Sequence, residues 1–106
     1  MRGLKDKAVI VTGGGGAIGG AICRRLAEEG ARVGVADRNG DAARLIAAEL
    51  EAMGASAWPL VFDITHYAAA KSAVAQFVER AGGVDVLINN AGWDRFVNFV
   101  DMEPSS

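Results

Sequence analysis

Residues 8–19 constrain this chain more than any other stretch. Four apolar residues, Ala8-Val9-Ile10-Val11, run into Thr12 and then into Gly13-Gly14-Gly15-Gly16, followed by Ala17-Ile18-Gly19. A strand with no polar face is buried on both sides, which is the habit of parallel sheets. Leaving that strand through glycines and entering a helix brings free N–H groups and a positive dipole end to the strand terminus. Glycine permits this in two ways. It tolerates the φ values of a tight turn, and its missing Cβ lets a bound group approach the backbone. Gly14, Gly16 and Gly19 fit the pattern G-x-G-x-x-G, here in the strand–turn–helix context that gives the pattern meaning. The expected ligand group is a pyrophosphate, with Gly13, Gly15, Gly16, Ala17, Ile18 and Gly19 around it. A flexible glycine-rich loop is the plain alternative. No G-K-S or G-K-T follows, which disfavours a nucleoside triphosphate loop.

The rest of the chain alternates between the same two kinds of element. After the turn, Ile18, Ile22 and Leu26 recur at helical spacing opposite Arg24, Arg25, Glu28 and Glu29, and Gly30 stops the helix. Residues 32–36 read as a second strand, closed by Asp37. A second helix is expected at about 41–53, with Leu45, Ile46, Leu50 and Met53 inward and Gly54 at its end. Residues 55–62 read as a third strand. Pro59 interrupts it, and proline cannot donate to a ladder, so this strand belongs at an edge. A third helix is expected at about 66–81, with Ala70, Val74, Phe77, Val78 and Ala81 inward, before a buried fourth strand at 84–88. The order βαβαβαβ with right-handed crossovers predicts an α/β fold, a Rossmann-type doubly wound parallel sheet with helices on both faces. Its strand order would be 3-2-1-4, which puts the Pro59 strand at the edge its proline requires.

Asp37 lies 18 residues beyond Gly19, near the spacing at which a carboxylate meets an adenosine ribose. It would accept hydrogen bonds from both ribose hydroxyls and repel a 2′-phosphate, so NAD is expected in preference to NADP. Arg38 beside it would offset a phosphate or stack on adenine. The plain alternative for Asp37 is a turn aspartate before Asn39-Gly40.

At 106 residues, 51% hydrophobic and 23% charged, the chain has room for one small domain with its own core. A net charge of −2 and no basic run argue against a nucleic-acid partner. One cysteine, Cys23, and one histidine, His66, exclude an internal disulfide and a structural zinc site. Cys23 falls in an apolar helical pattern and reads as a core residue. No apolar run approaches the ~20 residues of a membrane span, and residues 1–7 are not expected to act as a signal peptide. The expectation is a cytoplasmic protein without a membrane or metal.

Thr12, Gly13 and Gly19, with Ala17 where a middle glycine is usual, resemble the T-G-x-x-x-G-x-G motif of the classical short-chain dehydrogenase/reductase family. Asp63-Ile64 after the third strand and Asn89-Asn90-Ala91-Gly92 after the fourth are similar to two further motifs of that family. The resemblance implies that Asp63 and Ile64 meet the adenine, that Asn89 ties the central sheet, and that Asn90, Ala91 and Gly92 pass close to the cofactor ribose. Helix capping by Asp63 or Thr65 is the alternative for the second motif. Trp93-Asp94 resembles the 2-hydroxycyclohexanecarboxyl-CoA dehydrogenases of the family, with 3-oxoacyl reductases a close second.

The resemblance also implies what to expect of function. The family's catalytic serine, tyrosine, lysine and asparagine lie beyond this chain's last residue, so no catalytic residue is assigned. Tyr67 and Lys71 imitate Y-x-x-x-K but read as helix surface. Residues 1–106 are expected to form one truncated NAD-binding half, with 93–106 as a loose tail. Its full-length parent would interconvert a secondary alcohol and a ketone, free or on a CoA thioester. The alternative is a stand-alone dinucleotide-binding module or subunit. Family members form homo-oligomers, through helices this chain lacks.

Overall fold

The computed structural model describes residues 3–63 and 65–90. Strands and helices alternate as β1 (Ala8–Thr12), α1 (Ala17–Glu28), β2 (Arg32–Asp37), α2 (Gly40–Ala52), β3 (Ala57–Val61), α3 (Tyr67–Ala81) and β4 (Val86–Asn89). The four strands form one parallel sheet in the order β3-β2-β1-β4, the expected 3-2-1-4. Pro59 sits on the outermost strand, paired with Val35 of β2.

Side chains of successive strand residues point to opposite faces, and each face is covered. Val9, Val11, Val33 and Val35 pack against Cys23 and Leu26 of α1 and Ile46, Ala47 and Leu50 of α2. Ala8, Ile10, Ala36 and Leu60 pack against Ala70, Val74 and Phe77 of α3. The central strand β1 is fully buried from end to end, as its unbroken apolar sequence requires. Side chains pin the sheet's N-terminal end. The Ala8 N–H donates to the Asp85 carboxylate at 2.8 Å, and Asp85 returns its own N–H to the Ala8 carbonyl. Arg32 donates to the carbonyls of Asp6, at 2.6 Å, and of Ala81 at the end of α3.

Four expectations need correction. Ile18, expected inward, is 69% exposed, and the buried face of α1 is Gly19, Gly20, Cys23 and Leu26. Leu45 and Met53 of the second helical segment are also exposed; α2 instead buries Ala43, Ile46, Ala47 and Leu50. Val78 of α3 is exposed, while Ala70, Val74, Phe77 and Ala81 are buried as expected. In α1 and α2 the helical period holds, but small residues take the face against the sheet. A Cβ on Gly20 would already lie 3.1 Å from Ile46 Cδ1 of α2, so the two helices approach closely there. The fourth strand, expected to be buried, is only half-buried, because among the described residues nothing pairs with its outer edge. Residues 93–106, expected as a loose tail, lie outside the described residues.

Candidate functional site

In a parallel sheet all strands end on the same side. Register brings Thr12 level with Ala36 and Asn89, and Asp37 level with Val61. Among the described residues, the glycine turn, Asp37, Asp63 and Asn90 therefore gather along one edge. Crevices at that edge are where open α/β sheets bind ligands.

The glycine turn starts at Gly13, whose φ of +66° is one that other residues rarely adopt. Its amides have definite partners. Gly14 N–H donates to the Ala36 carbonyl at 3.0 Å, Gly16 N–H to the Gly13 carbonyl at 3.1 Å, and Gly15 N–H to Asp37 Oδ2 at 3.1 Å. The first intrahelical bond of α1 runs from Gly20 N–H to the Gly16 carbonyl. The first-turn amides of Ala17, Ile18 and Gly19 thus have no acceptor within their own helix. Gly16 offers no side-chain cap, and no acidic residue stands in the first turn of α1. Gly16, Ala17 and Ile18 are exposed; Gly19 is buried under the turn.

Gly19 and Gly15 are glycines for steric reasons. A Cβ on Gly19 would stand 2.0 Å from the Gly13 carbonyl oxygen, and one on Gly15 would stand 2.8 Å from the Ala42 Cβ. Gly16 faces nothing closer than 3.4 Å.

Asp37 is half-buried at the end of β2, and its second oxygen accepts the Asn39 N–H at 3.0 Å. Asn39 in turn caps α2, accepting the Ala42 N–H at 3.1 Å. Arg38 is exposed, close enough to Asp63 for its charge to act on that carboxylate. Asp63 Oδ1 accepts both the N–H and the hydroxyl of Thr65, at 2.9 and 2.8 Å. These two bonds hold the Asp63 carboxyl below the usual range, the backbone one most strongly. Neither Asp63 nor Thr65 caps α3, whose N-cap is His66 without a side-chain bond.

Sequence reasoning matched Thr12 to a motif but missed its work. The side chain is fully buried between β1 and β4. Its hydroxyl accepts the Asn90 N–H at 2.9 Å and can donate to Asn89 Oδ1 or to the Ile88 carbonyl, at 3.2 and 3.3 Å. The only available signal was a hydroxyl residue ending an otherwise apolar strand. Ile64, Ala91 and Gly92 lie outside the described residues, as does the Trp93-Asp94 pair. Tyr67 and Lys71 sit exposed at the start of α3. Among the described residues no group of three His, Cys, Asp or Glu could hold a metal, and no helix is long and apolar enough to cross a membrane.

The family model described as short chain dehydrogenase matches residues 7–106. The chain is 39% identical over 89 residues to a 2,5-dichloro-2,5-cyclohexadiene-1,4-diol dehydrogenase of Sphingobium indicum, covering 84% of this chain and 36% of that protein. It is 41% identical over 103 residues to an L-rhamnose 1-dehydrogenase (NAD(P)(+)) of Azotobacter vinelandii, covering 93% and 40%. Among solved structures, an NAD+-bound xylitol dehydrogenase superposes with a TM-score of 0.80 at 37% identity, over 86% of this chain and 35% of that one. The chain thus spans little more than a third of the length of the relatives it matches.

Proposed function

This chain belongs to the short chain dehydrogenase family, and on that premise we propose that it is the NAD(H)-binding part of an oxidoreductase acting on a secondary alcohol or its ketone. The observation that carries the reading is the Asp37 carboxylate, held beside a glycine turn that opens into a helix N-terminus with no side-chain cap. The residues fit the cofactor. Gly13, Gly15, Gly16 and Gly19 shape a turn that backbone-close phosphates can approach, and the amides of Ala17, Ile18 and Gly19 would hold the pyrophosphate. Asp37 would accept the adenosine ribose hydroxyls, with Arg38 against the adenine face. Asp63 and Ile64 would border the adenine, and Asn90, Ala91 and Gly92 the second ribose. When bound, NAD supplies the hydride acceptor for the alcohol.

A 2′-phosphate about 4 Å from the Asp37 carboxylate would meet a repulsion of ~4 kcal/mol per unit charge near a protein surface, which Arg38 only partly offsets. NAD is therefore the preferred dinucleotide. The alcohol-oxidising activity of the whole protein is read from the relatives, whose names are those of diol, sugar and polyol dehydrogenases. A CoA thioester of a cyclic hydroxy acid is the finer form of this reading, and it rests on Trp93-Asp94 and the glycine-rich turn. A binding module without chemistry is not favoured, since the family match runs from residue 7 to residue 106.

Calorimetric titration of the 106-residue chain with NAD and with NADP, alongside thermal melting, tests the proposal. Saturable NAD binding that raises the melting temperature, by about 2.7 kcal/mol of added stability at a hundredfold excess over Kd, is expected, with a weaker NADP response. Tighter binding of NADP, or no binding of NAD, overturns it.

A further inference from the structure

We infer that Asp37 is a clamped selector, with Gly15 and Asn39 as positioning residues for the choice between NAD and NADP; this rests on the cofactor reading above. The two carboxylate oxygens are engaged separately, Oδ2 by the Gly15 N–H at 3.1 Å and Oδ1 by the Asn39 N–H at 3.0 Å. Hydrogen bonds to an ionised acceptor are the stronger kind, and rotating the side chain away from the site breaks both together. A carboxylate offers about four lone-pair positions. With two taken by the amides, one on each oxygen remains, which matches the two neighbouring hydroxyls of an unphosphorylated ribose.

The clamp is built from three pieces of chain that fix one another. Gly15 reaches Asp37 because the glycine turn lies directly on the start of α2, where a Cβ at position 15 would meet Ala42 Cβ at 2.8 Å and backbone atoms of Ala42 and Ala43 at 3.0 Å. Asn39 ties that same helix start down by accepting the Ala42 N–H. Gly14, next to Gly15, donates to the Ala36 carbonyl next to Asp37, so turn and strand end are joined at two successive residues. The amide of Gly15 is therefore not a phosphate ligand. It is the link through which the pyrophosphate turn orients the ribose selector, and a 2′-phosphate cannot be admitted by the selector swinging aside.

The test separates backbone clamp from side-chain cap at position 39. Asn39→Ala keeps the N–H that holds Asp37 and loses the helix cap. Asn39→Pro loses both, at a φ of −82° that proline accommodates. The ratio of NADP to NAD dissociation constants is expected to fall about tenfold in Asn39→Pro relative to Asn39→Ala, the scale of one charge-assisted hydrogen bond. Equal ratios in the two variants overturn the inference. Amide hydrogen exchange on the cofactor-free chain gives a second readout. In Asp37→Ser the Gly15 and Asn39 amides should lose protection, while Gly14, bonded to Ala36, keeps it. A Gly15 amide that exchanges as fast in the parent as in Asp37→Ser removes the clamp and leaves the functional reading standing. Failure of the parent to bind NAD, with Gly15 protected, removes the functional reading instead.

Discussion

Gly16 and Gly19 are separated by less than a helical turn, yet they answer to different constraints. The space a side chain would need at position 19 is already filled by the carbonyl of Gly13, and backbone cannot yield as a flexible side chain can. Gly19→Ala must therefore push α1 off the turn. The expected loss is about 1–3 kcal/mol, or roughly 4–8 °C of melting temperature for each kcal/mol in a domain of this size. Position 16 is open, with an extended backbone at φ −83° and ψ 178° that suits a capping serine. Gly16→Ser is expected to stay within ~0.5 kcal/mol of the parent, since glycine and serine caps differ by only a few tenths. Thermal melting of the two variants checks this; a Gly19→Ala chain as stable as the parent would refute the close approach. Cys23 shows how burial governs a single residue's chemistry. Enclosure in the α1–sheet core pushes its thiol up to about 12, in spite of nearby Arg24, so the protonated, unreactive form prevails. Its sequence context already indicated this, because an apolar helical pattern around a small residue marks a core position.

At the scale of elements, α1 and α2 lie side by side on one face of the sheet and are joined by Arg24 and Glu49. Arg24 Nη2 meets Glu49 Oε1 at 3.1 Å, and Nε reaches the other oxygen. This hydrogen bond, with the attraction of the guanidinium, holds the Glu49 carboxyl below its ordinary value. A carboxylate whose pKa is lowered by folding adds stability above its unfolded pKa of ~4.3, and that stability is lost as pH falls through the folded value. Glu49→Gln should thus melt slightly below the parent at neutral pH, by the modest amount an exposed pair contributes. The gap should narrow on acidification and close once Glu49 is protonated in the parent. A gap that persists in acid would mean that the pair acts through packing and not through charge. The helices also show where pattern reading stops. Periodicity placed the second and third helices to within a residue or two, but gave the inward face of α1 and α2 to the largest apolar residues. Leu45 is 69% exposed, whereas Ala43 and Ala47 are buried. Hydrophobicity alone does not reveal how closely a helix approaches its sheet.

The described residues form one sheet with a core on each side, and Phe77 is the largest fully buried side chain among them. Its ring meets Trp58 edge-on, with centroids 5.7 Å apart at 80°. It also fills the space left by the absent side chain of Gly34, where a Cβ would stand 2.9 Å from the ring. Phe77→Ala should cost about 3–5 kcal/mol. Small domains hold only ~5–15 kcal/mol in all, so the variant is expected to lose much of its cooperative melting transition. Leu45→Ala, on the outer surface, should change stability by no more than ~0.5 kcal/mol. A Phe77→Ala chain that melts like the parent in urea would rule out a second core beneath α3.

The sequence by itself determined the alternation of elements, the parallel sheet and the edge position of β3. Each of these follows from a local signal: an unbroken apolar strand, a glycine turn, a proline that cannot donate, and a chain that crosses over with one hand. Asp37 was legible as a candidate from its distance to the glycine turn. Its two amide partners were not, because Gly15 lies 22 residues away and Asn39 donates through backbone that looks the same in any sequence. The inward faces of α1 and α2 and the use of the Thr12 hydroxyl were likewise decided by tertiary structure alone. Close packing and hydrogen-bond satisfaction depend on which atoms meet across the fold, and residues distant in sequence carry no local record of that meeting.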